Sequence, residues 1–221
     1  MKLILCSEGF YTEEIVIKCE ELVGKPRSAI SIAVINEAYA VDHDNNLPWV
    51  LENLNMIKNN FGGNLELVNL LALDIKTIKE RIMHHDVIFV VGGHTDYLMS
   101  VFNTTGFSKL LPELLKTKVY VGSSAGSMVL GERLSSEAYK KIYNLQDSYG
   151  INKYLELVDI SIMPHLDSSN FPNRKETLLE AAKKHSGVIY GLRDDAAIVV
   201  DGDNITTIGS QPLIFNSHQS V

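Results

Sequence analysis

Ser124 stands in Gly122-Ser123-Ser124-Ala125-Gly126, between the run Lys118-Val119-Tyr120-Val121 and the apolar stretch Met128-Val129-Leu130. Glycine two residues to either side of a serine, where a strand turns into a helix, is the pattern of a nucleophile turn. The serine backbone is strained there, and the strand and helix pass too closely for larger residues. The N-terminus of the following helix would point backbone N–H groups at a developing oxyanion. The same residues also suit a Gly-Ser loop that cradles a phosphate. Ser123 and Ser127 compete as hydroxyls, but neither has glycine at both −2 and +2, so they read as small turn-fillers.

A serine hydroxyl is a poor nucleophile at neutral pH without a base in reach and a group that orients the base. Of the seven histidines, His165 is the best placed, in the loop Pro164-His165-Leu166-Asp167-Ser168-Ser169-Asn170-Phe171-Pro172 after an apolar run. His84 and His85 end one helical segment, His185 ends another, and His218 lies in the C-terminal tail. His43, in Asp42-His43-Asp44, has only loosely spaced acidic neighbours and reads as a solvated turn in preference to a metal site. Three carboxylates compete as the orienting acid: Asp194, its neighbour Asp195, and Asp167, which is poorly placed to reach back two residues to the His165 ring. A strand-end turn residue is an equal reading of Asp194. Gly92-Gly93-His94-Thr95-Asp96 also follows a β-branched run, and a Gly93 N–H together with the Ala125 N–H would make a two-donor oxyanion hole. The competing reading is a tight turn with Thr95 or Asp96 capping the next helix. Arg174 offers a bidentate partner for a substrate carboxylate, although a solvent-exposed arginine at a helix start is the simpler expectation.

These residues need a scaffold that delivers them to one edge. Short apolar runs at Lys2 to Cys6, Ser28 to Val34, Leu65 to Leu67, Val87 to Val91 and Val119 to Gly122 alternate with helix-length segments at Thr12 to Val23, Pro48 to Asn60, Ile75 to His84, Phe107 to Lys116 and Ala125 to Glu132. That alternation predicts an α/β fold with a mostly parallel sheet flanked by helices on both faces. Asp74 is the expected N-cap of the third helix. Residues 135–154 read as a helix or loop excursion before a strand at Leu157 to Met163. Helical composition returns at Arg174 to His185, and strands follow at Gly187 to Leu192, Ala196 to Val200 and Ile205 to Ile208. Ligands bind beyond the carboxyl ends of parallel strands, which is where Gly93 and Ser124 fall.

The 221 residues are predicted to form one domain, 1–221, since one core remains efficient up to roughly 250–300 residues. Acidic residues outnumber basic ones 27 to 20, for a net charge of −7, which disfavours nucleic acid as a partner. The N-terminal apolar run is too short for a signal peptide or a membrane helix. Cys6 and Cys19 form neither a metal spacing nor a disulfide framework, so a reduced, cytoplasmic setting is expected.

The segments Gly92-Gly93-His94-Thr95, Gly122-Ser123-Ser124-Ala125-Gly126, Asp159-Ile160-Ser161-Ile162-Met163-Pro164-His165 and Gly191-Leu192-Arg193-Asp194-Asp195-Ala196 together resemble the serine peptidase family that contains dipeptidase E (aspartyl dipeptidase) and cyanophycinase. The likeness spans most of the chain. It implies the three-layer, flavodoxin-like fold of the class I glutamine amidotransferases, with serine in place of their cysteine. Residue by residue it implies Ser124 as nucleophile, His165 as general base, Gly93 and Ala125 as oxyanion donors, and an acid at Asp194, where the family often has Glu. His94 replaces the Asn usual in dipeptidase E, and the resemblance makes it a substrate contact. The implied activity is hydrolysis of short peptides, with an N-terminal Asp one candidate preference and no cofactor or metal. Cyanophycinase activity fits less well, because the chain is short and has no evident extra channel segment. The alternatives are an esterase or amidase using the same residues, or a non-catalytic binding module on this fold. The oligomeric state is left open, with a homo-oligomer included.

Overall fold

The computed structural model describes residues 1–41, 48–143, 149–172 and 174–216. His43 with its acidic neighbours, and His218, lie outside the described residues. The elements in chain order are β1 Lys2–Cys6, α1 Glu13–Val23, β2 Ile32–Ile35, α2 Pro48–Phe61, β3 Leu65–Leu67, α3 Ile75–Met83, β4 Val87–Val90, α4 Thr95–Thr105, α5 Phe107–Leu114, β5 Val119–Ser123, α6 Ala125–Met128, α7 Ser136–Tyr143, β6 Ser161–Met163, α8 Arg174–Ala182, β7 Ile189–Gly191, β8 Ala197–Asp201, β9 Asn204–Ile208 and β10 Leu213–Phe215.

Seven strands form one sheet in the order β3-β2-β4-β5-β1-β8-β9. The first five run parallel, and β8 and β9 add antiparallel at one edge. The central strands are buried on both faces, which is why they read as continuous apolar runs instead of alternating ones. Successive residues go to opposite layers: Leu3 and Leu5 pack with α3, α4, α5 and α6, while Ile4 and Cys6 pack with α1 and α2. This is the mostly parallel, helix-flanked α/β architecture expected from the alternation of runs. A second sheet of only three strands, β10-β7-β6, shares the first of those layers through Ile162, Met163, Ile189 and Phe215.

Local signals explain most boundaries. Thr12 caps α1 by accepting from the Ile15 amide, and Asp74 accepts from the Lys76 and Thr77 amides at the start of α3. Caps of this kind contribute about 1 kcal/mol each. Four expectations need correction. The strand placed at Leu157 to Met163 shrinks to Ser161–Met163, because the amides of Leu157 and Val158 are instead spent on the Leu130 carbonyl. The helix placed at Ala125 to Glu132 stops at Met128, and the Glu132 amide turns away to the Ile160 carbonyl. Helix α4 is an addition to the helices read from sequence, and its cap is neither Thr95 nor Asp96: His94 Nδ1 accepts from the Tyr97 amide at 3.3 Å. The run at Ser28 to Val34 begins as a 3-10 turn at Arg27–Ala29, and its strand covers Ile32–Ile35. Among the described residues no helix is long and apolar enough to cross a membrane.

Candidate active site

β5 ends at Ser123, and the chain then turns through Ser124 at φ 48 and ψ −110 into α6. A non-glycine residue held there costs on the order of 1–3 kcal/mol, which the surroundings must offset. Sterics supply the constraint. A Cβ on Gly122 would meet the Gly126 carbonyl carbon at 2.6 Å, and one on Gly126 would fall on the Val90 carbonyl oxygen of β4. The three serines separate cleanly. Ser123 is buried in β5, and buried Ser127 donates to the carbonyls of Cys6 at 2.7 Å and Gly122 at 2.9 Å. Ser124 alone of the three is partly exposed.

The loop after β4 comes up beside this turn. Gly92 faces Ser124 so closely that a Cβ would sit 3.1 Å from the serine Cβ. Gly93 takes φ 133, and a side chain there would strike the Ala38 carbonyl and the Tyr39 nitrogen. The His94 amide is committed to the Ala38 carbonyl at 2.8 Å, whereas no backbone hydrogen bond among the described residues uses the Gly93 or Ala125 amide. Among the described residues, two amides on the two loops that meet at Ser124 are thus left without a backbone acceptor.

His165 follows β6 with φ 56, and its ring Nδ1 lies 2.6 Å from Asp194 Oδ1. The other two candidate acids are engaged elsewhere. Asp195 accepts from Ser210 Oγ, and Asp167 pairs with Lys175 and Arg193. The hydrogen bond from His165 holds the Asp194 carboxyl below the usual carboxylate range, with help from the imidazole charge, Ser7 and Arg174 and against the effect of burial.

The joint between the two loops is Ser7, which follows β1 directly and was not singled out in the sequence. Its carbonyl accepts from the Ser124 amide at 3.0 Å, and its hydroxyl accepts from the His165 amide at 2.8 Å while donating to Asp194 at 3.1 Å. Ser7 is fully buried. One residue at the carboxyl end of β1 therefore touches the serine, histidine and aspartate segments at once. No hydrogen bond joins Ser124 Oγ to His165 among the described residues, and side-chain contacts of this kind can tighten when a ligand binds.

The profile of peptidase family S51 matches residues 4–208. The chain belongs to peptidase family S51. An uncharacterized peptidase of Listeria monocytogenes is 31% identical over 157 residues, 65% of this chain and 73% of that protein. A crystal structure from L. monocytogenes EGD-e, named provisionally as a peptidase E, superposes with a TM-score of 0.75 at 23% identity, over 94% of this chain and 97% of that one. A peptidase from an acI-B1 actinobacterium superposes at 0.68 with 17% identity, over 100% and 96%. The two superpositions establish the shared fold, and the S51 match together with the names of the relatives indicates a peptidase.

Two further groups of this S51 member stand in surroundings that the sequence did not announce. Arg174 begins α8 as expected but is buried, not solvent-exposed, at 2% exposure. Its guanidinium lies 3.9 Å from the Phe171 ring centroid and donates through Nη1 to the Pro164 carbonyl, and Phe171 in turn stacks on the His165 ring at 5.8 Å. Its Nε and Nη2 have no hydrogen-bond partner among the described residues. Burial lowers its pKa, against the pull of Tyr143 and Asp194. Asp96, one of the two caps offered by the competing reading of the Gly92-Gly93 turn, is instead fully buried in a two-bond pair with Arg133, at 2.9 Å to Nε and 2.7 Å to Nη2, and accepts from Tyr154 Oη at 2.8 Å. It braces the first turn of α4. His94 sits on the same loop, edge-on to Tyr149 at 5.0 Å. Glu8 comes within 3.4 Å of His165 Nδ1, and with Asp194 it places three possible metal-ligand atoms within 4.8 Å of one another.

Proposed function

We propose that this chain is a serine-type peptidase that cleaves short peptides through an acyl-enzyme on Ser124. The observation that carries the proposal is the bridge at Ser7, which ties the strained Ser124 turn to a His165–Asp194 pair with an Nδ1 to Oδ1 distance of 2.6 Å. With Nδ1–H given to Asp194, His165 Nε2 is the nitrogen left to take the Ser124 proton as Oγ attacks the scissile carbonyl. The carbonyl electron pair moves to oxygen, and the Gly93 and Ala125 amides receive it. His165 then passes the proton to the leaving amine, and a water repeats the sequence to release the acid. Arg174, whose Nε and Nη2 have no hydrogen-bond partner among the described residues, is the group we assign to a carboxylate of the peptide, and His94 is assigned to its side chain. We also assign the chain to a reduced, cytoplasmic setting, a reading that the two free, buried cysteines support.

Labelling by a small fluorophosphonate, read by intact mass, tests the reading in the parent, Ser124→Ala and His165→Ala. One adduct is expected in the parent and none in either variant, with dipeptide turnover falling on the order of 10⁴-fold or more. A screen of Asp-X against other dipeptides then sets the substrate preference. A folded parent that never labels would return the chain to the class of binding modules.

A further inference from the structure

The mechanism above uses one carboxylate beside His165, yet two face the same ring nitrogen. Asp194 Oδ1 lies at 2.6 Å from Nδ1, and Glu8 Oε2 lies at 3.4 Å. The single Nδ1–H is satisfied by the nearer oxygen, since 3.4 Å is long for a hydrogen bond but short for a charge interaction. Glu8 is not a wandering surface group. Ser7 before it is fixed by four hydrogen bonds, including one from its own amide to the Ala196 carbonyl. Gly9 after it turns at φ 69 against Asn53 and Phe89.

We propose that Glu8 is a positioning residue for the general base, a second carboxylate that shares the Nδ1 face of His165 with Asp194 and stabilises the imidazolium formed when Ser124 attacks. The proposal rests on the serine-peptidase reading given above. Its proton accounting is simple: the Ser124 proton goes to Nε2, the Nδ1 proton stays where it is, and none passes to Glu8.

The surroundings say why such a group would be kept. Burial pushes the Glu8 carboxyl up, and Asp194 and Glu52 of α2 push it further, while His165 and a hydrogen bond from Asn53 pull it down. A carboxylate placed near two others is held at a cost except when a cation forms beside it. The imidazolium is that cation. The charged and titratable groups facing the ring are thus Asp194 after β7, Glu8 after β1 and, through Asp194, Arg174 of α8, with Glu52 of α2 near enough to act on Glu8.

The test uses the full chain with Glu8→Gln, Asp194→Asn and the double variant, each checked for an unchanged melting temperature and followed by fluorophosphonate labelling rate and dipeptide turnover across pH. Removing one negative charge beside a proton-binding ring lets the proton leave more easily. The acid limb of the rate profile should therefore move to lower pH in Glu8→Gln by about half to one unit. Asp194→Asn should lose roughly 10²–10³-fold, less than the ~10⁴ of a triad whose third member stands alone. The double variant should fall at least about tenfold further, as coupled partners do. Glu8→Asp, which keeps the charge, guards against a folding artefact and should leave the limb close to the parent's. An unmoved limb in Glu8→Gln, or a double variant no slower than Asp194→Asn, overturns the proposal while leaving the serine-peptidase reading intact. A Ser124→Ala protein that labels like the parent sinks both.

Discussion

On the seven-stranded sheet, Ser124 owes its place to backbone: two glycines that admit no Cβ, a positive φ, and an amide tied to the Cys6 and Ser7 carbonyls. On the three-stranded sheet, His165 owes its place to side chains, namely the Ser7 hydroxyl, Asp194, the stacked Phe171 and the buried Arg174 behind it. The nucleophile half is thus set by what cannot fit, and the base half by what must be bonded. Steric exclusion tolerates almost no substitution at a few positions, whereas a bonded network distributes its control and fails by degrees.

Gly126→Ala should separate the two most sharply. Its Cβ would land on the Val90 carbonyl, a backbone atom that cannot swing aside. Overpacking of this kind costs about 3 kcal/mol or more, roughly 6–12 °C of melting temperature at this chain length. Calorimetry should show that drop, and fluorophosphonate labelling should vanish with it. A variant that melts like the parent and still labels would mean that the turn is held by bonding after all, and the contrast between the halves would be lost.

Ser7→Ala strikes the joint between them. The main-chain carbonyl that holds the Ser124 amide survives, but the hydroxyl bonds to His165 and Asp194 do not. Leaving a buried amide without its acceptor costs about 1–3 kcal/mol. A base displaced by an ångström loses on the order of 10²-fold in rate. The expectation is a fall in kcat with KM little changed, measured on whichever dipeptide the screen selects. A lowered melting temperature with turnover unaffected would show that Ser7 braces the fold and does not position the base.

The same contrast explains how far the chain could be read before its structure was known. Exclusion leaves a local mark: Gly122 and Gly126 flank Ser124 at fixed offsets, and doubly buried strands such as Val87–Val90 are continuous apolar runs. Bonded networks leave none. Ser7 meets His165 and Asp194 across 158 and 187 positions, and nothing in the spacing of Ser7 or Glu8 announces it. Arg174 looked like a surface residue because its aromatic cover, Phe171 and Tyr143, comes from a loop and from a different helix. The strands of the small sheet are three residues each, too short to carry a period. Helix α4 was obscured by its polar first turn, where Asp96 is buried against Arg133 and only an unusual His94 cap marks the start.

Glu37 gives the smallest and most pH-specific test, on the nucleophile half. It lies in the turn Glu37–Tyr39 under Gly93, is 5% exposed, and accepts from the Leu70 amide while its Oε2 has no partner among the described residues. Burial pushes its carboxyl up, against the hydrogen bonds from the backbone. A carboxyl whose folded value is raised contributes its full stability below the unfolded value of about 4.3 and loses it as pH rises through the folded value. Glu37→Gln keeps an acceptor for the Leu70 amide and carries no charge at any pH. Its unfolding free energy should match the parent's near pH 4 and exceed it increasingly toward pH 8, by about 1–2 kcal/mol. Activity should change less than about threefold, because the Ala38 carbonyl that receives the His94 amide is untouched. A difference that stays flat from pH 4 to pH 8 would mean that the buried carboxylate is already paid for by a cation or a water at Oε2. In that case the exclusion-built half of the site would depend on bonding as well.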